Sequence, residues 1–144
     1  MINLFKGEYA WLSNMTLVNV KYDGIEYPSV EHAYMSAKSD DMVWKSRCAD
    51  KQIPPKQIKK ESKDIDLRDD WDDVKIDVMR ECLKEKFNQE PFKTLLINTK
   101  NQDLIEGNWW NDTFWGVDIV TGKGENNLGK LIMEIRDNIN NGTK

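Results

Sequence analysis

A chain of 144 residues, 39% of them hydrophobic, is long enough for one domain with a single core. Its net charge of −4 does not favour binding along a DNA duplex, which depends on many lysine and arginine contacts to phosphate. There is no apolar run of about 18 residues and no signal-peptide profile, so we expect a cytoplasmic protein with no membrane partner. One histidine and two cysteines are too few for a zinc site, and no cofactor is expected.

The first part of the chain predicts a hairpin followed by a helix. A loop and a short strand lead to Tyr22, and Asp23-Gly24 between apolar flanks is a strong turn signal. Pro28 is expected in the first turn of a helix. Its apolar stripe recurs at helical spacing: Val30, Ala33, Tyr34 and Ala37. Residues 51–70, which contain two prolines and five lysines, are expected to form short helical turns and loop.

The remainder is expected to be mainly helical. The most regular helix covers residues 71–88, with an apolar stripe at Ile76, Met79, Leu83 and Phe87. Pro91 is expected to start a short helix through Ile97. Strands are expected at 103–106 and 114–120. An amphipathic helix closes the chain, with Leu128, Leu131, Ile132, Ile135 and Ile139 on its apolar face.

An acid and an amine, Glu31 and Lys38, lie seven positions apart in the first predicted helix. At about 3.6 residues per turn, seven steps return to nearly the same helix face, about 10.5 Å further along the axis. The two side chains are therefore expected to face a common space at the border of the core. Taken alone, the pair is more typical of a solvated helix, which favours an acid near its N-terminus and a cation in its last turn.

Six tryptophans are more than a core of this size ordinarily needs. Indole rings either pack inside a protein or stack against a nucleobase. Over residues 105–116, carboxylates, amides and indoles alternate, a pattern that strands of a pure core do not have. The single histidine, His32, is expected to pack or cap rather than to serve in a Ser-His-Asp system.

Several segments together resemble one family, the NADAR superfamily of YbiA-like N-glycosidases. They are Phe5 with Leu12-Ser13-Asn14; Asp23-Gly24; Tyr27 to Tyr34 with Ala37-Lys38; Asp70-Trp71 with Val74-Lys75 and Val78-Met79; Glu106; Asp112 to Gly116; and Gly124 to Gly129 with Met133 and Ile135-Arg136. Departures from the family pattern are Met35 in place of a common glutamine, Ser39 in place of an aromatic residue, and the lysine-rich segment 51–63 in place of a Gly-Arg neighbourhood. These changes bear on substrate preference more than on activity.

The resemblance implies an α+β, mainly helical single domain over residues 1–144 with a small β-sheet. It also implies hydrolysis of the N-glycosidic bond between a ribose and a base or amine. Family substrates are early riboflavin-pathway intermediates and, in other members, ADP-ribose on guanine bases. The implied site residues are Lys38, Glu31 and Asp112 as catalytic groups, and Asn14, Tyr34, Trp71, Glu106, Trp115 and Asn126 as substrate-binding groups.

By the same resemblance, Lys38 is expected to attack the anomeric carbon and form an imine with the opened ribose. That step needs a neutral amine, whereas the pKa of a free lysine is about 10.4. Burial would lower the pKa of Lys38, and the charge of Glu31 would raise it. The sequence leaves open which effect is larger.

The substrate is also left open. The acidic net charge favours a free nucleotide, whereas the lysines of residues 51–63 favour phosphates or a nucleic-acid strand, in which an exposed base would be the partner. Two other classes of protein remain as alternatives: a nucleotide-binding module without turnover, and an interaction protein whose tryptophans form a docking patch. The oligomeric state is not predicted.

Overall fold

The structure, a computed structural model, describes residues 1–142. Its internal contacts divide the chain into two compact units, Asn14–Lys86 and the combination of Met1–Ser13 with Phe87–Lys144. The α+β class is confirmed, because helices dominate and the strands form two small sheets. The last residue of the predicted domain, Lys144, lies outside the described residues.

The unit Asn14–Lys86 begins with the predicted hairpin. Strands β1 (Leu17–Tyr22) and β2 (Ile25–Ser29) pair in antiparallel fashion. Asp23 and Gly24 connect them with φ angles of 50° and 82°. Two positive φ angles are what a type I′ turn requires, and this explains why Asp-Gly was an accurate signal.

Helix α1 starts later than predicted, at Val30, and ends at Ser36. Pro28 lies in β2 rather than in the first helical turn, so that prediction was wrong. The stronger local signal is Ser29, whose side chain accepts a hydrogen bond from the backbone N–H of His32 and caps the helix. Lys38 lies two residues beyond the end of α1 rather than inside it.

Three further helices complete this part of the chain. They are α2 (Met42–Cys48), α3 (Pro55–Glu61) with a 3-10 turn at Ser62–Asp64, and α4 (Trp71–Phe87). The buried face of α4 carries Trp71, Val78, Met79, Cys82, Leu83, Lys86 and Phe87. Ile76, which was predicted on the apolar stripe, is 36% exposed, and the fully buried Lys86 lies on the apolar side instead.

The second unit contains a 3-10 helix (Gly7–Leu12), helix α5 (Phe92–Ile97) and helix α6 (Asn127–Asn140). Its strands, β3 (Gly107–Asn108) and β4 (Val117–Asp118), are parallel and two residues long. The strand predicted at 103–106 is absent; Leu104 forms only an isolated bridge with Ile2. Among residues 1–142, no helix has the length and apolar character needed to cross a membrane.

Candidate functional site

Lys38 is held by its backbone at a tight turn after α1. Its N–H donates to the carbonyl of Met35 at 3.2 Å, and its carbonyl accepts from the N–H of Arg68 at 2.8 Å. The side chain is half-buried, and its Nζ lies 5.9 Å from the centroid of the Tyr34 ring. Burial lowers the pKa of Lys38 below its ordinary value, while the nearby Glu31 carboxylate opposes that shift. Desolvation is therefore the larger of the two competing effects.

Glu31 lies in the first turn of α1 and is only 6% exposed. Its backbone N–H donates to the carbonyl of Asn14 at 3.1 Å. A carboxylate at this end of a helix is favoured by the helix dipole. The structure thus places Glu31 near enough to Lys38 to affect its pKa, although the two residues do not share a continuous helix.

His32 holds the start of α1 through both ring nitrogens. Nδ1 lies 2.6 Å from the hydroxyl of Ser29, and Nε2 lies 2.7 Å from the carbonyl of Ile53. Because a carbonyl can only accept, Nε2 carries the proton and Nδ1 accepts from Ser29. Burial lowers the pKa of His32. The packed role that was expected for this histidine fits these contacts.

Tyr34 and Trp71 form an aromatic wall beside Lys38. Their ring centroids lie 5.1 Å apart, with the planes inclined at 54°. Such a pair contributes about 0.5–1.5 kcal/mol beyond area burial. Both residues are nearly buried, at 5% and 6% exposure. The Tyr34 ring of this pair therefore gives the Lys38 amine an apolar neighbour.

Asn14 brings a polar group to the same unit. Its Nδ2 contacts the sulfur of Met79 at 3.6 Å. Its Oδ1 is buried and accepts no hydrogen bond within the described part of the chain. A buried acceptor without a donor is costly, by about 1–3 kcal/mol. This oxygen is thus the part of the Asn14 amide that the surrounding residues leave unsatisfied.

The other predicted site residues lie in the second unit, around a loop that Asn108 closes. The Asn108 side chain is fully buried. Its Nδ2 donates to Glu106 Oε2 at 3.0 Å and to the carbonyl of Asp112 at 2.9 Å, and its Oδ1 accepts from the N–H of Asp112 at 3.0 Å. Asp112 Oδ1 in turn accepts from the N–H of Trp115 at 3.0 Å. The side-chain amide of Asn108 therefore links Glu106 to Asp112 through hydrogen bonds.

Gly116 is required by the same arrangement. A Cβ atom at this position would lie 1.8 Å from Glu106 Oε2 and 2.2 Å from the Glu106 carbonyl. No side chain fits there, which gives a physical reason for the Phe-Trp-Gly motif. Asn108 was missed by the sequence analysis because its importance lies in contacts across the loop, which composition does not indicate.

Two predicted substrate-binding residues have largely structural contacts. Asn126 is 9% exposed; its Oδ1 accepts from the N–H of Glu106 and its Nδ2 donates to the carbonyl of Leu104, both at 3.0 Å. Trp115 is half-buried and packs edge-on against Phe114, with ring centroids 4.8 Å apart. The Asn126 amide holds the Glu106 backbone in place, which leaves it little capacity for a ligand.

Trp109 and Trp110 project from the loop that Asn108 closes, at 58% and 51% exposure. The Nζ of Lys6 lies 5.4 Å and 5.2 Å from their respective ring centroids. Two exposed indoles below one ammonium form a surface that flat rings can stack on. In the residues that the structure covers, no cluster of three or more His, Cys, Asp or Glu could hold a metal ion.

The architecture is shared with a solved N-glycosidase structure. The NMR structure of the Escherichia coli protein YbiA matches with a TM-score of 0.84 and 30% sequence identity, covering 99% of this chain and 88% of that one. The chain belongs to the NADAR family, because the model of the NADAR domain matches residues 4–140.

Two relatives by sequence carry names that describe activities. N-glycosidase YbiA of Shigella flexneri serotype 5b is 34% identical over 136 residues, which is 92% of this chain and 82% of that protein. A riboflavin biosynthesis protein of Vibrio vulnificus is 31% identical over 134 residues, 91% of this chain but 36% of the relative.

Proposed function

We propose that this protein is an N-glycosidase that cleaves the bond between a ribose and a base or amine, on riboflavin-pathway intermediates or a related ADP-ribosyl or nucleotide substrate. The observation that carries the proposal is the half-buried amine of Lys38, with a lowered pKa, beside the Glu31 carboxylate and the Tyr34 ring. The names of the relatives support the reaction class.

The reaction begins with the neutral Lys38 amine. Its lone pair forms a bond to C1′, and the bond from C1′ to the leaving nitrogen breaks, so that the base departs with the electron pair and takes up a proton from solvent, or from Glu31 once this carboxylate has accepted the ammonium proton of Lys38. The Lys38 nitrogen then loses one proton to solvent, the bond from C1′ to O4′ breaks as the nitrogen forms the imine, and the remaining N–H proton passes to O4′. Water then adds to C1′, and the sugar is released as the amine is regenerated.

Asp112 is proposed as a second acid in this reaction. Its role rests on the family resemblance; Asn108 holds the Asp112 backbone, and the carboxylate of Asp112 accepts a hydrogen bond from the N–H of Trp115. Asp112→Asn keeps the shape of the side chain and removes the charge. We expect this variant to fold with a lowered kcat.

The test is a combined activity and trapping experiment. Lys38→Ala should abolish release of free base, and borohydride with substrate should attach a reduced sugar to Lys38 of the wild type, found by peptide mass spectrometry. Lys56→Ala, at an exposed position on α3, is the matched control and should behave as wild type. Full activity in Lys38→Ala would overturn the proposal. Binding of ADP-ribose without turnover would instead support a non-catalytic binding module.

A second candidate is removal of ADP-ribose from guanine in nucleic acid. It is favoured by the exposed Trp109 and Trp110 with Lys6 above them, since stacked bases and a cation near phosphates are typical of single-strand binding. The net charge of −4 opposes it. Comparing release of ADP-ribose from a modified oligonucleotide with release of base from a free nucleotide separates the two candidates.

A further inference from the structure

Two neighbouring tryptophans, Trp109 and Trp110, lie on the surface of the unit that combines Met1–Ser13 with Phe87–Lys144. They are 58% and 51% exposed. Single exposed apolar side chains are ordinary on a protein surface, but two adjoining indoles form an apolar area of the kind that marks an interaction site. Neither residue has a part in the reaction proposed for Lys38.

The loop that carries the two indoles is held from inside by Asn108. Its buried side chain makes three hydrogen bonds to Glu106 and Asp112, so the backbone is fixed on both sides of residues 109–110. Asn111, with a φ angle of 65°, turns the chain back toward Asp112. A side chain displayed on a fixed backbone loses less freedom when it binds a partner. The exposure of the two rings is therefore a feature of the folded loop.

One ammonium group joins the two rings into a single surface. The Nζ of the exposed Lys6 lies 5.4 Å from the ring centroid of Trp109 and 5.2 Å from that of Trp110. Both distances fall within the range of about 6 Å in which an indole attracts a cation. Successive residues of a strand point to opposite faces, but residues 109–110 form a bend after β3, which allows both rings to adjoin one atom. We call Lys6, Trp109 and Trp110 the indole surface.

We propose that the indole surface binds an unpaired strand of nucleic acid, with bases stacked on Trp109 and Trp110 and a backbone phosphate paired with Lys6. A nucleotide joins a flat ring to an anion through one ribose, so a single ligand engages both the indoles and the ammonium. Little sequence preference is expected, because every base has a flat face. Binding of an unmodified strand breaks no bond, so this role goes beyond the proposed reaction and does not depend on it.

An unpaired strand suits the indole surface better than a duplex does. The bases of a duplex are stacked on one another, and binding along its backbone depends on many cations, whereas this surface offers one. The net charge of −4 repels a polyanion, but at about 0.1 M salt exposed charges more than about 10 Å away are largely screened. Stacking should therefore supply most of the affinity.

The first test measures the fluorescence anisotropy of a labelled oligodeoxythymidine of about 12 nucleotides, a length within the site sizes of single-strand-binding domains. The wild type should bind this strand, and it should bind the same strand without bases at least about tenfold more weakly, because stacking is lost. A duplex of the same length should bind no better than the strand without bases. Trp109→Ala and Trp110→Ala should each weaken binding of the intact strand about tenfold, which corresponds to about 1.4 kcal/mol.

Matched variants separate lost stacking from lost folding. Trp109→Phe and Trp110→Phe keep a flat ring and should retain most of the affinity. Val120→Ala, at an apolar position that is 82% exposed in the same unit, should change the affinity less than about twofold. Equal weakening in Val120→Ala and in the two alanine variants of the tryptophans would overturn the proposal, and so would unchanged binding in those two variants.

The second test assigns the role of Lys6 through the salt dependence of binding. For a single strand, the logarithm of the binding constant falls with the logarithm of salt concentration by about 0.7 for each phosphate contact. Lys6→Gln should reduce this slope by about that amount, whereas Lys6→Arg and Lys130→Gln, the latter at an exposed position on α6, should retain it. An unchanged slope in Lys6→Gln would overturn the pairing of Lys6 with phosphate.

Other occupants of the indole surface give different results. If the wild type binds phosphatidylcholine vesicles or dimerises, loses this property in Trp109→Ala, and does not bind the strand, the surface belongs to a membrane or to a second copy of the chain, and the proposal is overturned. Binding of the strand without release of base from any ribosyl substrate would contradict the proposed function and leave the indole surface standing. Release of base without binding of the strand would do the reverse.

Discussion

The backbone N–H of Arg68 donates a 2.8 Å hydrogen bond to the carbonyl oxygen of Lys38. This bond fixes the backbone of Lys38 beyond the end of α1, where the hydrogen bonds of the helix no longer hold the chain. Neither this hydrogen bond nor the one that the Lys38 N–H donates to Met35 involves the Lys38 side chain. Truncation of Lys38 should therefore leave the turn intact, so a loss of activity in Lys38→Ala reports on chemistry rather than on folding.

The pKa of Lys38 is expected to fall further in Glu31→Gln. The wild-type pKa is lowered by burial, and the Glu31 carboxylate raises it in opposition. Removing that negative charge removes the opposition, so the amine should lose its proton at lower pH. NMR titration of the Lys38 side chain checks this without relying on activity. An upward shift in the variant would mean that Glu31 does not act on Lys38 through its charge.

Stability is expected to fall as the pH drops through about 6.5, because of His32. Its folded-state pKa lies below the ordinary value of 6.5, so the unfolded chain binds the proton more readily. The free energy of unfolding contributed by the neutral ring is fully present above that value and is lost toward the lower folded-state pKa. Urea unfolding of the wild type and of His32→Asn, at several pH values between about 5 and 7, checks this. An identical slope with pH in both proteins would contradict it.

Lys86→Met is expected to stabilise the protein near neutral pH. Burial lowers the pKa of Lys86 from 10.5 to about 7, so the unfolded chain binds an additional proton between those values. Wild-type stability should consequently rise with pH across this range. Replacing the buried amine with a hydrophobic side chain of similar length removes the cost of burying a charge, so the variant should unfold at a higher denaturant concentration. Unfolding midpoints at several pH values check both effects; a less stable variant with the same pH dependence would contradict them.

Asn108→Ala is expected to destabilise the protein by roughly 2–4 kcal/mol, because three hydrogen bonds of a buried amide are lost. The loop carrying Trp109 and Trp110 should then become looser, and their fluorescence anisotropy should fall. Asn127→Ala, which removes a single hydrogen bond to the carbonyl of Phe114, is a milder control. An effect no larger than that of the control would show that Asn108 does not close the loop.

The sequence predicted elements well where a local signal determined the structure. Asp23-Gly24 specifies its turn through backbone conformation alone, and the apolar period of α6 survives in the fold. Prediction failed where two local signals competed or where tertiary contacts decided. Pro28 is compatible with a helix start, but Ser29 is a better cap.

The same distinction between local sequence signals and tertiary contacts applies to the candidate site. The sequence analysis placed Glu31 and Lys38 in one helix, whereas Lys38 lies in a tight turn two residues beyond the end of α1. The competition between burial and charge at Lys38 depends on packing, which no spacing rule provides.

Both nitrogens of the only imidazole in the sequence are occupied in holding α1 to Ser29 and Ile53. A reaction in this protein consequently proceeds without a histidine as proton carrier. Under the proposed function, the proton for a departing base travels between carboxyl groups, amines and solvent. The pH dependence of the activity should then follow the titration of lysine and carboxyl groups rather than that of an imidazole.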